Sequence, residues 1–225
     1  TSLHVMYDQP GAIIIVEFNK RKRKASIKSV VAGADLVLLE VKKPIAGWVA
    51  IKEYNKSKPK YKAQVSALGF NRGSLGMSTR ELVKGYVSPE ILKVLLPPDA
   101  LAKLKNSNVL DLNLPIYYLD GSLLPGYSGS PIVDQHGSLI GIGDGGLENG
   151  AAGVSWVIPA SHLDKLTVAQ NTRLPKGLGL THAAFSGDVA VPKKRAPHSL
   201  SGISLGAVYK IFKNGIDSPF NSKGV

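Results

Sequence analysis

The chain has 225 residues and 44% hydrophobic content, which is enough to bury a core in one large domain or two small lobes. It has no cysteine, which excludes disulfides and thiolate metal sites, and no apolar run approaches the length of a membrane span. The net charge of +12 permits binding to nucleic acid or to other anionic surfaces.

Short apolar segments separated by turn residues follow one another along the first three quarters of the chain. In chain order we predict strands at 12–18, 25–31, 35–41, 48–53, 63–69, 85–88, 114–119, 132–134, 138–142 and 154–158. The basic cluster Lys20–Lys24 is predicted at a hairpin tip, and residues 135–137 form a tight hairpin turn in which Asp134 takes part. Many short strands with regular turns indicate an all-β barrel or sandwich.

The remaining segments are predicted as helices, loops or a tail. Residues 98–105 and 161–168 are predicted as short helices, the second capped by Ser161, and 143–153 as a glycine-rich loop. From about residue 170 strand patterning fades, so we predict one domain over 1–169 and a tail or linker over 170–225, with weak order around 203–212. Lys193-Lys194-Arg195 is predicted as solvated linker, with an anchoring signal as the alternative.

The segment Gly126-Tyr127-Ser128-Gly129-Ser130-Pro131 places a serine in a glycine-flanked turn that leads into an apolar strand. Such a turn exposes the hydroxyl and leaves the amides of Gly126 and Ser128 able to point at one oxygen atom. Nucleophilic acyl transfer needs both features, although glycine and serine also build ordinary turns.

A base and an orienting acid are also present. His4 lies near the start, and Asp35 begins the apolar segment Asp35-Leu36-Val37-Leu38-Leu39. An unpaired carboxylate at the mouth of an apolar strand is costly, but it is explained if it accepts a hydrogen bond from an imidazole. His4 would then take the proton of Ser128 while Asp35 fixes the imidazole tautomer.

These segments, with Gly153-Val154-Ser155-Trp156-Val157-Ile158-Pro159, resemble the motifs of chymotrypsin-like serine peptidases, in particular the bacterial trypsin-like and HtrA-like branch. The resemblance covers about residues 1–168. It implies two six-stranded antiparallel β-barrels, polypeptide substrates, an acyl-enzyme intermediate, no cofactor and no metal.

The resemblance also implies the roles of the site residues. Ser128 is the expected nucleophile, His4 the general base and Asp35 its orienter, and the amides of Gly126 and Ser128 form the oxyanion hole. Ser155 and Trp156 would pair with the substrate backbone, Ser122 would lie near the floor of the specificity pocket, and Val157 would narrow that pocket. The absence of an acid at Ser122 argues against cleavage after Lys or Arg and favours small aliphatic residues.

Two departures from the family pattern affect these expectations. Tyr127 precedes the serine where trypsin carries an aspartate, so the trypsin-type activation switch is expected to be absent. His4 is almost the first residue, so the first barrel is expected to lack its N-terminal strands and the chain to be a fragment of a longer protein. No signal peptide is visible, and an exported location is favoured.

Alternatives to an active peptidase remain open. One is a catalytically inactive relative that keeps the peptide groove as a binding module. Another is a basic nucleic-acid-binding β domain, which the sparse aromatic content of 7% disfavours, so nucleic acid is not an expected partner. His136, His162, His182 and His198 lack metal spacing and are predicted at the surface, and Asp144 and Glu148 are predicted as solvated loop residues rather than cation ligands.

Overall fold

The computed structural model describes residues 1–7, 14–18, 21–43, 54–70, 80–147 and 153–186. Within these ranges the strands are β1 (Ile14–Phe18), β2 (Arg21–Val31), β3 (Leu36–Val41), β4 (Ala63–Phe70), β5 (Arg80–Ile91), β6 (Pro115–Asp120), β7 (Pro131–Asp134), β8 (Leu139–Gly146) and β9 (Val154–Pro159). The helices are α1 (Leu92–Leu95), α2 (Pro98–Ser107), α3 (Leu163–Val168) and α4 (Leu178–Ser186), and short 3-10 helices span Leu3–Met6, Ala32–Ala34 and Ala160–His162.

The first three strands form an antiparallel sheet in the order β1-β2-β3. The predicted hairpin between the first two strands is confirmed, with Phe18 opposite Arg21. The basic cluster is not confined to the hairpin tip, because Arg21–Lys24 lie in β2, where Lys24 is opposite Ile15. Their side chains are exposed or half-buried, so that β2 carries these charges without burying them.

The other six strands form a closed antiparallel barrel in the order β4-β5-β6-β9-β8-β7. Its interior is filled by apolar side chains that alternate along the strands, among them Val65, Val87, Leu119, Ile132 and Val157. The predicted fold class is confirmed: the protein is mostly β, with one complete six-stranded barrel. In the described residues the first of the two expected barrels is represented by the three-stranded sheet.

The hairpin between β7 and β8 follows the predicted turn chemistry. The carboxylate Oδ1 of Asp134 accepts hydrogen bonds from the backbone amides of His136 and Ser138, both at 2.9 Å. Gly137 has φ of +80°, a left-handed conformation that glycine adopts without strain. This turn fixes the register of β8, whose far end reaches the candidate site.

An apolar cluster joins the sheet to the barrel. It takes Leu36 from β3, Leu104 from α2, Trp156 from β9, Leu166 from α3 and Phe185 from α4, all at most 7% exposed. Because these side chains come from both β units and from the connecting helices, the two units are held against each other by hydrophobic burial.

Two local predictions differ from the structure. The segment from Gly143 was predicted as a loop, but β8 continues through Gly146, with Gly145 opposite Trp156. A Cβ at Gly145 would overlap the indole of Trp156, so the glycine is needed for close packing within the strand. Ser161 does not cap a helix; it lies within a 3-10 helix that leads into α3, and no side-chain cap is formed there.

Part of the predicted tail is folded. The carbonyl of Asn171 accepts a hydrogen bond from the amide of Val30 at 2.7 Å, and α4 packs against the Leu3–Met6 helix, α2 and β8. Leu178, Thr181 and Phe185 of this helix are at most 4% exposed. The prediction of low order is therefore wrong for residues 178–186, and the end of the peptidase domain stays a prediction.

Several predictions concern residues that lie outside the described ranges. The strand at 48–53, the cluster Lys193–Arg195, the segment 203–212, Glu148 and His198 lie outside the described residues. None of the helices in the described ranges has the length and hydrophobicity that crossing a bilayer requires.

Candidate active site

His4 is fixed by the backbone of the first sheet. Ser2 forms a β-bridge with Leu36, and the amide of Leu3 donates to the carbonyl of Asp35 at 2.7 Å. The chain then turns into the Leu3–Met6 3-10 helix, and the amide of His4 donates to Oδ1 of Asp35 at 2.9 Å. These contacts bring the imidazole to the junction between sheet and barrel, where the residue is 2% exposed.

Asp35 occupies a sharp bend before β3. It ends the Ala32–Ala34 3-10 helix with φ of 51° and ψ of 39°, and its amide donates to the carbonyl of Ala32 at 2.9 Å. Aspartate tolerates this left-handed conformation better than most residues. The bend turns the carboxylate towards His4, whose Nδ1–H donates to Oδ2 at 2.5 Å.

Ser128 lies in the predicted glycine-flanked turn. The amide of Tyr127 donates to Leu124 at 3.1 Å, the amide of Ser130 donates to Tyr127 at 2.8 Å, and Gly126 and Gly129 have φ of +108° and +87°. Such a turn requires glycine at both positions. Within the described residues the amides of Gly126 and Ser128 donate to no backbone carbonyl, which leaves them available for a ligand, and their oxyanion role stays a prediction.

The structure brings the three predicted side chains together. Nε2 of His4 lies 3.0 Å from Oγ of Ser128, while Nδ1 of the same ring contacts the carboxylate of Asp35. Because an ionised carboxylate only accepts hydrogen bonds, the imidazole proton lies on Nδ1 and Nε2 accepts from the serine hydroxyl. In the sequence His4 is 124 positions from Ser128 and 31 positions from Asp35, so these contacts are created by the fold.

Burial sets the protonation of this group. Desolvation lowers the pKa of His4, opposed by the negative charge of Asp144, and so favours the neutral imidazole that can accept a proton. Desolvation also raises the pKa of Asp35 to about 7, opposed by the neighbouring carboxyl group of Asp144, by the backbone amide of His4 and by the charge of the N-terminal amine.

Asp144 is a member of this cluster that the sequence prediction missed. It was predicted as a solvated loop residue, but it lies in β8 and is 1% exposed. The indole N–H of Trp156 donates to its Oδ2 at 3.0 Å, and its Oδ1 lies 3.8 Å from Nδ1 of His4. Its backbone carbonyl lies 3.0 Å from Oγ of Ser128 and is an alternative acceptor to Nε2 of His4 for the single hydroxyl proton. The available signal was an acid that follows an apolar strand without an intervening turn.

Burial and the neighbouring carboxyl group of Asp35 both affect the protonation of Asp144. Desolvation raises its pKa well above the ordinary value, and the charge of Asp35 raises it further, while His4 and the hydroxyl of Ser2 act in the opposite direction. His4, Asp35 and Asp144 also form a group whose ligand atoms all lie within 4.8 Å. The 2.5 Å separation of His4 Nδ1 and Asp35 Oδ2 is that of a hydrogen bond, so the geometry fits a shared proton better than a cation between these atoms.

Helix α4 covers the imidazole of His4. The ring of Phe185 meets His4 edge-on with centroids 5.2 Å apart, and it also contacts Trp156 at 5.1 Å. His182 stacks on Tyr7 at 3.6 Å and lies 6.0 Å from the ring of His4. His162 and His182 are both 8% exposed, so the surface prediction is wrong for them, whereas His136 is exposed as predicted.

The predicted substrate-binding strand is wrong. Ser155, Trp156 and Val157 are at most 1% exposed, and β9 is paired with β6 on one edge and β8 on the other. No backbone edge is left there for a substrate strand, and the hydroxyl of Ser155 accepts from the amide of Leu123 at 2.8 Å. Val157 packs inside the barrel core. Ser122 is half-buried before the serine turn, and its role at the pocket floor stays a prediction.

The barrel, the second sheet and the Ser–His–Asp contacts are those of the chymotrypsin-like peptidases. The sequence matches the family model of the trypsin-like peptidase domain over residues 1–142, and the chain therefore belongs to this family. No curated protein matches the sequence.

Solved structures share the fold at low sequence identity. The Rv3671c protease from M. tuberculosis in its active form is 18% identical with a TM-score of 0.52, and the match covers 80% of this chain and 72% of that chain. The HtrA-type protease AlgW, solved with a decapeptide, is 18% identical with a TM-score of 0.56, covering 74% and 46%. The serine endoprotease from Yersinia pestis is 23% identical with a TM-score of 0.52, covering 74% and 51%.

Proposed function

We propose that the protein is a serine endopeptidase that hydrolyses polypeptides through an acyl-enzyme. The observation that carries this proposal is the contact chain from Oγ of Ser128 through the imidazole of His4 to the buried carboxylate of Asp35, at 3.0 and 2.5 Å. A nucleophile within hydrogen-bond reach of a base, with the base oriented by a third group, is the arrangement that serine acyl transfer uses.

In the acylation step Ser128 attacks the scissile carbonyl carbon while its hydroxyl proton moves to Nε2 of His4. The carbonyl oxygen becomes an oxyanion that accepts from the amides of Gly126 and Ser128, each contributing about 10²–10³-fold to the rate. Collapse breaks the C–N bond, and the leaving amine takes the proton from Nε2. Water then attacks the ester with His4 again as base, and the proton returns to Oγ as the acid product leaves.

The expected substrate preference needs one change. The restriction to small aliphatic residues depended on Val157 narrowing the pocket, and Val157 lies in the barrel core instead. Support remains for the charge preference, because the half-buried Ser122 offers no carboxylate to a basic side chain. We therefore propose cleavage after uncharged residues, with small aliphatic ones as a subset to be measured.

A peptide library tests the activity and the preference together. Wild type is expected to cleave after uncharged residues, and Ser128→Ala is expected to lose activity by about 10⁶-fold in kcat. Ser130→Ala is the matched control, because Ser130 lies in the same turn and its buried hydroxyl has no hydrogen-bond partner in the described part of the chain. Activity that survives in Ser128→Ala contradicts the proposal, and strong cleavage after Arg contradicts the charge preference.

A catalytically inactive peptide-binding relative is the second candidate, and one observation favours it. Phe185 of α4 packs on His4, which is only 2% exposed, so the imidazole is covered on that side. An inactive relative would bind library peptides with equal affinity in wild type and Ser128→Ala and cleave none of them. A peptidase would turn the same peptides over in wild type alone.

A further inference from the structure

Asp144 touches both ends of the proposed catalytic group. Its backbone carbonyl lies 3.0 Å from Oγ of Ser128, and its carboxyl Oδ1 lies 3.8 Å from Nδ1 of His4. The residue is 1% exposed, at the end of β8 that meets the first sheet. A side chain placed there can act on Asp35 and His4 without contacting substrate.

The hydrogen bonds of the Asp144 carboxyl are incomplete if it is charged. Oδ2 accepts from the indole N–H of Trp156 at 3.0 Å, but among the described residues no donor satisfies Oδ1. The other carboxyl group in the cluster is Asp35, which is 0% exposed. Two buried carboxylates in one site repel each other, and the usual outcome is that one of them holds a proton.

The proton belongs on Asp144 rather than on Asp35. Asp35 already accepts from the amide and from Nδ1–H of His4, and both bonds favour its ionised form. Asp144 has one donor in hydrogen-bond geometry, the indole N–H of Trp156, because the nearby hydroxyl of Ser2 donates to the carbonyl of Gly143 at 3.3 Å. The unsatisfied Oδ1 of Asp144 faces the cluster. Burial raises the pKa of both carboxyl groups, but their mutual contact acts in opposite directions, lowering the pKa of Asp35 and raising that of Asp144.

We propose that Asp144 is a positioning residue that remains a neutral carboxylic acid at neutral pH and donates a hydrogen bond to the ionised Asp35. Asp35 then has three donors, which hold its carboxylate towards Nδ1 of His4 and keep the imidazole aimed at Ser128. This inference rests on the peptidase function proposed above, and it adds a fourth side chain to the three that the sequence predicts.

Two substitutions of Asp144 separate the effect of its hydrogen-bond donor from the effect of a negative charge at that position. Asp144→Asn keeps an N–H donor for Asp35 and an oxygen acceptor for the indole of Trp156, so kcat is expected within about threefold of wild type. Asp144→Ala removes both, and kcat is expected to fall about tenfold or more with little change in KM, because only the proton-transfer geometry is affected. Asp134→Ala is the control, since Asp134 supports the turn at the other end of β8 and touches neither His4 nor Asp35.

A spectroscopic measurement decides the proposal independently of turnover. In the Ser128→Ala background, NMR of ¹³C-labelled aspartate is expected to show one buried carboxyl in its neutral form at pH 7, assigned to Asp144 by its loss in Asp144→Asn. The Nδ1 proton of His4 is expected in wild type and Asp144→Asn and is lost in Asp144→Ala.

The outcomes distinguish the two proposals. An ionised Asp144 at pH 7, or an equal loss of kcat in Asp144→Asn and Asp144→Ala, overturns the positioning role. If wild type cleaves nothing while Asp144 is neutral and Asp144→Asn keeps the His4 proton signal, the peptidase proposal fails and the hydrogen bond to Asp35 stands. If Asp144→Ala does not fold, the carboxyl signal and Asp144→Asn still decide.

Discussion

Asp35→Asn is the substitution for which the structure predicts a specific chemical failure. In wild type the amide of His4 donates to Oδ1, and Nδ1–H donates to Oδ2. An asparagine keeps its carbonyl oxygen towards the His4 amide, because that amide can only donate. Its NH₂ group then faces Nδ1, which must become an acceptor, so the imidazole proton moves to Nε2 and faces Ser128.

The size of the effect follows from the lost base. An imidazole protonated on Nε2 cannot accept the hydroxyl proton of Ser128, which lies 3.0 Å away. A tautomer change of this kind lowers kcat by about 10⁴-fold, equivalent to about 5 kcal/mol in the barrier. KM should change little, because Asp35 is buried and does not reach substrate.

The assay is the hydrolysis of one uncharged library peptide, with Ser128→Ala as the floor and Ser130→Ala as the control. Circular dichroism and denaturant unfolding show whether Asp35→Asn keeps the fold. The reasoning is refuted if the folded variant retains more than about a tenth of wild-type kcat, since a correctly placed base could not then be essential.

Three further predictions follow from the same structure. Because burial lowers the pKa of His4, the acid limb of kcat/KM should lie below the ordinary imidazole value of about 6.5; a limb above that value in a pH–rate profile contradicts this. Because burial raises the pKa of Asp144 well above its ordinary value, the folded state keeps a proton that the unfolded state loses, so this stability is fully present below the unfolded pKa and is lost as pH rises towards the raised folded pKa. In denaturant unfolding, the stability of Asp144→Asn should increase relative to that of wild type as pH rises over that interval. A stability difference between the two proteins that does not change with pH argues against this prediction. Gly145→Ala should lower the free energy of unfolding by about 1–3 kcal/mol, because the new Cβ overlaps the indole of Trp156. Gly153→Ala is the comparison without such an overlap, since no atom lies within 4 Å of its Cβ position. Any destabilisation there comes from backbone strain, because Gly153 has φ of +71°.

The strands and the three catalytic candidates could be predicted because their signals are local. Alternation of apolar residues marks each strand, and the glycines around Ser128 mark a turn whose positive φ values the structure confirms. The contact between His4 and Ser128 is long-range; the residue types make it chemically reasonable, and the resemblance to a known family made the prediction specific.

The errors concern properties that depend on strand pairing. Ser155-Trp156-Val157 resembles a substrate-binding strand in its residue types. Whether a strand has an open edge depends on its neighbours, and β9 is paired with β6 on one side and β8 on the other. Asp144 lies among glycines that resemble a loop, yet those glycines admit the indole of Trp156 and extend β8. Helix α4 contains Gly179 and follows Gly177, so local propensity is weak and the helix forms through tertiary packing.

The central claim is that His4 activates Ser128 as a nucleophile. Reaction of the folded protein with a fluorophosphonate, followed by peptide mass spectrometry, tests it most directly because the adduct records which oxygen attacked. We predict a single adduct on Ser128 that is absent in Ser128→Ala and forms far more slowly in Asp35→Asn. An unlabelled wild type, or an adduct on Ser130 instead, contradicts the claim.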